Sequence, residues 1–145
     1  MRVPRTIRYR GTPAARKRVL AVLAAGAMAA GAVGAEVVDN CATLLGSLSR
    51  EVRYAHALPP GTRSTFLCPR EREARAAIGT SRQRVLNALG TPDDSGRADD
   101  GAMRWTYVFA SRLGGAPERS GGAPVLSFHF DGDDQVASMD CSYAR

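Results

Sequence analysis

The sequence has one lysine, Lys17, and two histidines, His56 and His129, in its 145 residues. Neither histidine has a Glu or a second His nearby at the spacing of a zinc site, which argues against a metal centre. His56 falls near the end of a helical pattern, where a cation interacts favourably with the helix dipole, so it reads as a solvated or capping residue. Asp131, Asp133 and Asp134 lack the twelve-residue pattern and closing Glu of a calcium loop. No nucleophile elbow and no Gly-rich phosphate loop after a strand is present. The expectation is therefore a protein that is not an enzyme, with no cofactor, no metal and no small-molecule substrate.

Acidic residues are absent before Glu36. The first 18 residues carry Arg2, Arg5, Arg8, Arg10, Arg16, Lys17 and Arg18, and Val19 to Ala35 carry no charge at all. A basic stretch followed by an apolar one is the order of a signal peptide. The apolar stretch is 17 residues long and mostly Ala and Gly, short and weakly hydrophobic against the ~20 apolar residues of a spanning helix. Val33-Gly34-Ala35 fits a signal peptidase, so cleavage is expected after Ala35. The mature chain would then lie in the periplasm or at the periplasmic face of the outer membrane. It would meet a membrane only through a partner or an uncleaved signal.

Removal of that segment changes the charge. Residues 36–145 hold 13 Arg, no Lys and 14 Asp and Glu, a net −1, whereas the whole chain is +6. The case for a nucleic-acid partner disappears with the leader. The remaining 110 residues suffice for one compact domain and not for two. The organisation expected is a signal peptide at 1–35, an amphipathic helix and turn at 36–62, and an α+β domain at 63–145.

Three cysteines remain, Cys41, Cys68 and Cys141, and an oxidising compartment allows one bridge. Sequence alone leaves all three pairings open, because distance in the fold decides. Cys68 with Cys141 is preferred, since both stand where an element begins or ends. Cys41 is not read as a lipid-modified cysteine: Val38-Asp39-Asn40 before it is polar where a lipobox needs small apolar residues.

From Glu36 to Leu58 apolar residues recur at three- and four-residue steps, which predicts an amphipathic helix stopped by Leu58-Pro59-Pro60-Gly61. Pro69 at a first helical position opens a short helix to Ala77, and Gly79 ends it. Ser81 or Thr80 caps a further helix with Val85, Leu86 and Leu89 on its apolar side, closed by Gly90 and Pro92. Asp93 to Gly101 reads as an exposed acidic loop. Three strands follow by alternation. They are Arg104 to Ser111 with Trp105, Tyr107 and Phe109 inward; Val125 to Phe130 with Leu126, Phe128 and Phe130 inward; and Gln135 to Cys141 with Val136 or Ala137 and Met139 inward. Asp131-Gly132-Asp133-Asp134 supplies the residues a hairpin needs at positive φ. The fold expected is α+β: two short helices on a three-stranded antiparallel meander, preceded by an additional N-terminal helix.

These pieces, in this order, resemble the SmpA/OmlA domain of BamE-like envelope lipoproteins over about residues 70–141. The resemblance rests on Gly79-x-Ser81-x-x-x-Val85-x-x-x-Leu89-Gly90-x-Pro92, on Trp105-x-Tyr107-x-Phe109, and on Phe128-x-Phe130-Asp131-Gly132-Asp133 followed by Gln135-Val136. It implies a non-catalytic protein that binds another envelope component and assists outer-membrane assembly. The similar fold of β-lactamase inhibitors implies an alternative, a secreted inhibitor of a hydrolase, though those proteins contain the unit twice. A small periplasmic enzyme is the remaining alternative. The chain departs from the family by lacking its lipobox, having Ala35-Glu36 where the mature N-terminus falls. Arg104 and Arg112 flank the aromatic strand and His129 alternates with core residues, so these three are the candidate partner-binding residues. The Gly-rich 112–124 connection reads as a long flexible loop.

Overall fold

A computed structural model describes residues 7–10, 39–115 and 122–143. The expected signal peptide apart from residues 7–10, and the middle of the 112–124 connection, lie outside those residues.

Helix α1 spans Asn40–His56. The Asp39 carboxylate accepts from the Ala42 N–H at 3.0 Å, satisfying one of the amides that a helix start leaves unpaired. Leu44, Leu48, Val52 and Ala55 form its buried stripe. A link through Phe66 and Cys68 leads to the single turn α2 (Glu71–Ala74) and a 3₁₀ turn, Arg75–Ala77. Pro69 does not open α2. Arg70 is the cap, in extended geometry, and its N–H donates to the Glu73 side chain at 2.9 Å, so Pro69 stands one residue outside. Helix α3 runs over Arg82–Leu89, with Ser81 accepting from the Arg84 N–H and Gly90 at φ +81° closing it.

Among the described residues the antiparallel sheet has five strands where three were expected. They are β1 (Ile7–Arg10), β2 (Asp94–Arg97), β3 (Met103–Val108), β4 (Pro124–Phe130) and β5 (Val136–Tyr143), in the order β1-β5-β4-β3-β2. β2 replaces the first half of the expected acidic loop. It is an edge strand of Asp, Ser, Gly and Arg held to β3 from Asp94↔Thr106 to Arg97↔Met103, and a strand with no apolar face leaves no alternation to read. β1 falls inside the expected leader and pairs with β5 from Ile7↔Cys141 to Arg10↔Ser138.

Between β4 and β5 the register slips. His129 pairs with Ser138 but Phe130 pairs with Val136, leaving Ala137 as a bulged residue. The bulge lets Val136 and Met139, three positions apart, both be buried while Ala137 is exposed. The positive φ in the turn belongs to Asp134, at 58°, and not to Gly132. Asp131 stabilises the turn with one carboxylate oxygen, which accepts from the Asp133 and Gln135 N–H groups at 2.9 and 3.0 Å.

One core unites these elements. The stripe of α1, Ala74 and Ala77, and Val85 and Leu89 of α3 pack with Tyr107, Phe109, Leu126, Phe128, Phe130, Val136 and Met139. Phe66 from the link lies stacked on Phe109, ring centroids 3.7 Å apart. Each buried Val, Leu, Phe or Met among them contributes about 1.5–3 kcal/mol relative to exposure. Cys68 is bonded to Cys141, Cα atoms 5.7 Å apart, which fastens the link to β5.

Candidate interaction surfaces

The motif residues meet inside the fold. The Tyr107 hydroxyl donates to the Gly90 carbonyl at 3.0 Å, joining the aromatic strand to the end of α3. Burial, reinforced by the nearby Asp93 charge, pushes the Tyr107 pKa above its ordinary value, so the phenol remains a donor. Tyr107 meets Phe128 edge-on at 6.0 Å, and Trp105 meets Phe130 edge-on at 5.1 Å. At the other end of α3, Gly79 takes φ +80° and donates to the Val136 carbonyl, while the Arg82 N–H donates to Asp134, both at 2.8 Å. The Arg82 guanidinium pairs with the Asp134 carboxylate at 3.0 Å and stands 5.7 Å from the Trp105 ring. Gly79, Ser81, Val85, Leu89, Gly90, Trp105, Tyr107, Phe128, Phe130 and Asp131 thus hold helix, strand and turn together.

The face of the sheet away from the helices is polar over Arg104, Thr106, Ser127, His129 and Asp140, and turns apolar at Val108 and Val125. His129 Nε2 lies 2.9 Å from Asp140 Oδ2, and both side chains are largely covered. His129 therefore does not stand out into solvent, because the β5 carboxylate holds it. Thr106 and Ser127 share a hydroxyl hydrogen bond at 3.0 Å. Arg104 stands opposite His129 in register and lies 3.7 Å from Asp94. Arg112 is elsewhere, past the end of β3, and pairs with Asp93.

Asp93 is a residue whose role the sequence conceals. Its side chain is 2% exposed. It accepts from the Val108 N–H at 2.7 Å and from the Arg112 guanidinium. Around it the Arg112 N–H donates to the His56 carbonyl at 3.1 Å, and His56 Nε2 lies 3.3 Å from the Val108 carbonyl oxygen. Burial, then the adjacent Arg112 charge, pushes the His56 pKa below its ordinary value, so the neutral ring donating to Val108 is favoured. His56 is accordingly a tie between α1 and β3 rather than a solvated residue. An acidic residue directly after a helix stop is ordinary in sequence, and nothing local marks it as buried.

A groove of about 960 Å³ runs between α1 and the link to α2, with Asn40, Thr43, Glu51, Leu67, Arg72 and Glu73 among its walls. Leu67 is 78% exposed there. The lining mixes both signs of charge with apolar carbon. At the start of α1, Asp39 pairs with Arg84, and this contact, with the Ala42 N–H, holds its carboxyl below the usual range. Cys41 is the free thiol among the described residues, 2.9 Å from the Thr80 hydroxyl. Among the described residues no group of three or more His, Cys, Asp or Glu could hold a metal ion, and no helix is long and apolar enough to cross a membrane.

Helices packed on one face of an antiparallel sheet, with one buried core between them, define a small α+β domain. Residues 71–140, 70 of the 145, match the model of the outer membrane protein assembly factor BamE domain. No curated protein and no solved structure matches the chain.

Proposed function

We propose that this protein is exported, loses residues 1–35, and acts in the periplasm or at the periplasmic face of the outer membrane as an accessory of outer-membrane protein assembly, binding another protein of that machinery. The observation that carries the reading is the match of residues 71–140 to the BamE domain, preceded by a basic and then charge-free leader.

Lipid attachment at Cys41 would require cutting immediately before that residue. Such a cut removes Asp39, which caps α1 and pairs with Arg84. Cleavage after Ala35 preserves both contacts, which favours an unlipidated mature chain. Arg104 on the polar face and Arg112 at the far end of β3, both partly exposed, are the proposed partner-facing residues, whereas His129 is held by Asp140.

Crosslinking in cells followed by affinity capture tests the reading. Recovery of outer-membrane assembly proteins supports it; their absence, with a normal outer-membrane protein profile in a deletion strain, overturns it. The intact mass of the protein recovered from the envelope tests the processing separately.

A further inference from the structure

The edge of the sheet beside β5 is held by four residues that the proposed processing removes. β5 is eight residues long, and β1 covers it only from Ser138 to Cys141. Once residues 1–35 are gone, β5 becomes an edge strand, and an open edge presents unpaired N–H and C=O groups that can accept another strand. The opposite edge, β2, is a short strand of Asp, Ser, Gly and Arg, a poor template by comparison. On β5 the buried Met139 and Cys141 alternate with Ser138 and Asp140.

The residues seated there show what the edge takes. Ile7 stands opposite Cys141 and Tyr9 opposite Met139, while Arg8 stands opposite Asp140 and Arg10 opposite Ser138. Apolar residues thus share register with the buried positions of β5, and cations share register with its polar ones, one of them a carboxylate. We propose that, once residues 7–10 are removed, the β5 edge binds an extended segment of an envelope protein partner. That segment pairs antiparallel, with apolar or aromatic residues opposite Met139 and Cys141 and an arginine or lysine opposite Asp140. In the uncut chain residues 7–10 occupy the same edge. This rests on the proposed removal of residues 1–35.

Main-chain pairing supplies affinity in such strand addition, and alternate side chains supply selectivity. A tethered competitor acts at a high effective concentration, so the full chain should bind an added strand more weakly than the processed one.

The test uses the full chain and residues 36–145, whose buried core lies wholly between Leu44 and Cys141. The probe is a synthetic peptide of residues 5–12, and the readout is amide hydrogen exchange. The peptide should slow exchange at Ser138 to Cys141 in residues 36–145, and do so less in the full chain. The peptide variant Arg8→Glu, which leaves the protein untouched, should bind more weakly, by up to about fivefold for one cross-strand charge pair. Equal binding of a scrambled peptide overturns the proposal. So does unchanged exchange at Ser138 to Cys141 while β4 amides stay protected, or pairing of β5 with a second copy of the chain. An envelope protein whose mass retains residues 7–10 overturns the processing alone, because binding to residues 36–145 reads the edge directly.

Discussion

Cys68, in the link between α1 and α2, is bonded to Cys141 in β5, 73 residues further along the chain. A bond closing so long a loop restricts the unfolded chain strongly, and the usual gain is about 2–4 kcal/mol. The double variant Cys68→Ser, Cys141→Ser should lose stability of that order, seen as a lower midpoint in urea. An unchanged midpoint would show that the bond contributes nothing to the folded state. Alkylation of the intact mature chain should label one thiol, Cys41.

Asp93→Ala should be among the more damaging polar substitutions. It removes a carboxylate that is 2% exposed and leaves the Val108 N–H and the Arg112 guanidinium without the group they share. An unsatisfied buried donor costs about 1–3 kcal/mol. Arg112→Ala should cost less, since that side chain is 38% exposed. Thermal unfolding of the two variants side by side checks the order.

Stability should fall on mild acidification. The folded pKa of His56 is depressed by burial and by Arg112, whereas in the unfolded chain it is near the ordinary value of about 6.5. Between those two values the unfolded state binds the additional proton, so stability is complete above about pH 6.5 and declines as pH drops towards the folded value. His56→Gln keeps a donor for the Val108 carbonyl and should flatten this slope. Urea titrations between about pH 5 and 7.5 measure it, and an unaltered slope in the variant would assign the effect to other groups.

Removing the cap of α1 should act locally. Asp39→Ala takes away the acceptor for the Ala42 N–H and the partner of Arg84, and loss of an N-cap costs about 1 kcal/mol. Hydrogen exchange should quicken in the first turn of α1 before it quickens at Leu48 or Val52. Uniform quickening along the whole helix would contradict the capping role.

What could be read from the sequence follows from which contacts are local. The α3 segment carries its cap, stripe and stop within the stretch from Gly79 to Pro92, and the aromatic alternation at Trp105 and Tyr107 or at Phe128 and Phe130 needs only a strand and a core. The pieces that escaped are those fixed by distant partners. β2 exists because β3 offers it backbone groups, and its own side chains carry no signal. The bulge at Ala137 breaks the period of two on which inward positions depend. Asp93 and His56 meet through the Val108 backbone and Arg112, far from either in sequence. His129 shows the limit of alternation: its position on the polar face was legible, but its pairing with Asp140 was not.

The cap at Asp39 also sets an order of events. A cut after Ala35 leaves only residues 36–38 before the first helical turn. A protease that engages residues beyond 38 in extended form can cut only before that turn winds. Under the proposed processing, the leader is therefore severed while residues 39–43 are still unwound, and closure of the core is a later step on the periplasmic side. Variants that make α1 wind sooner should then accumulate as uncut precursor.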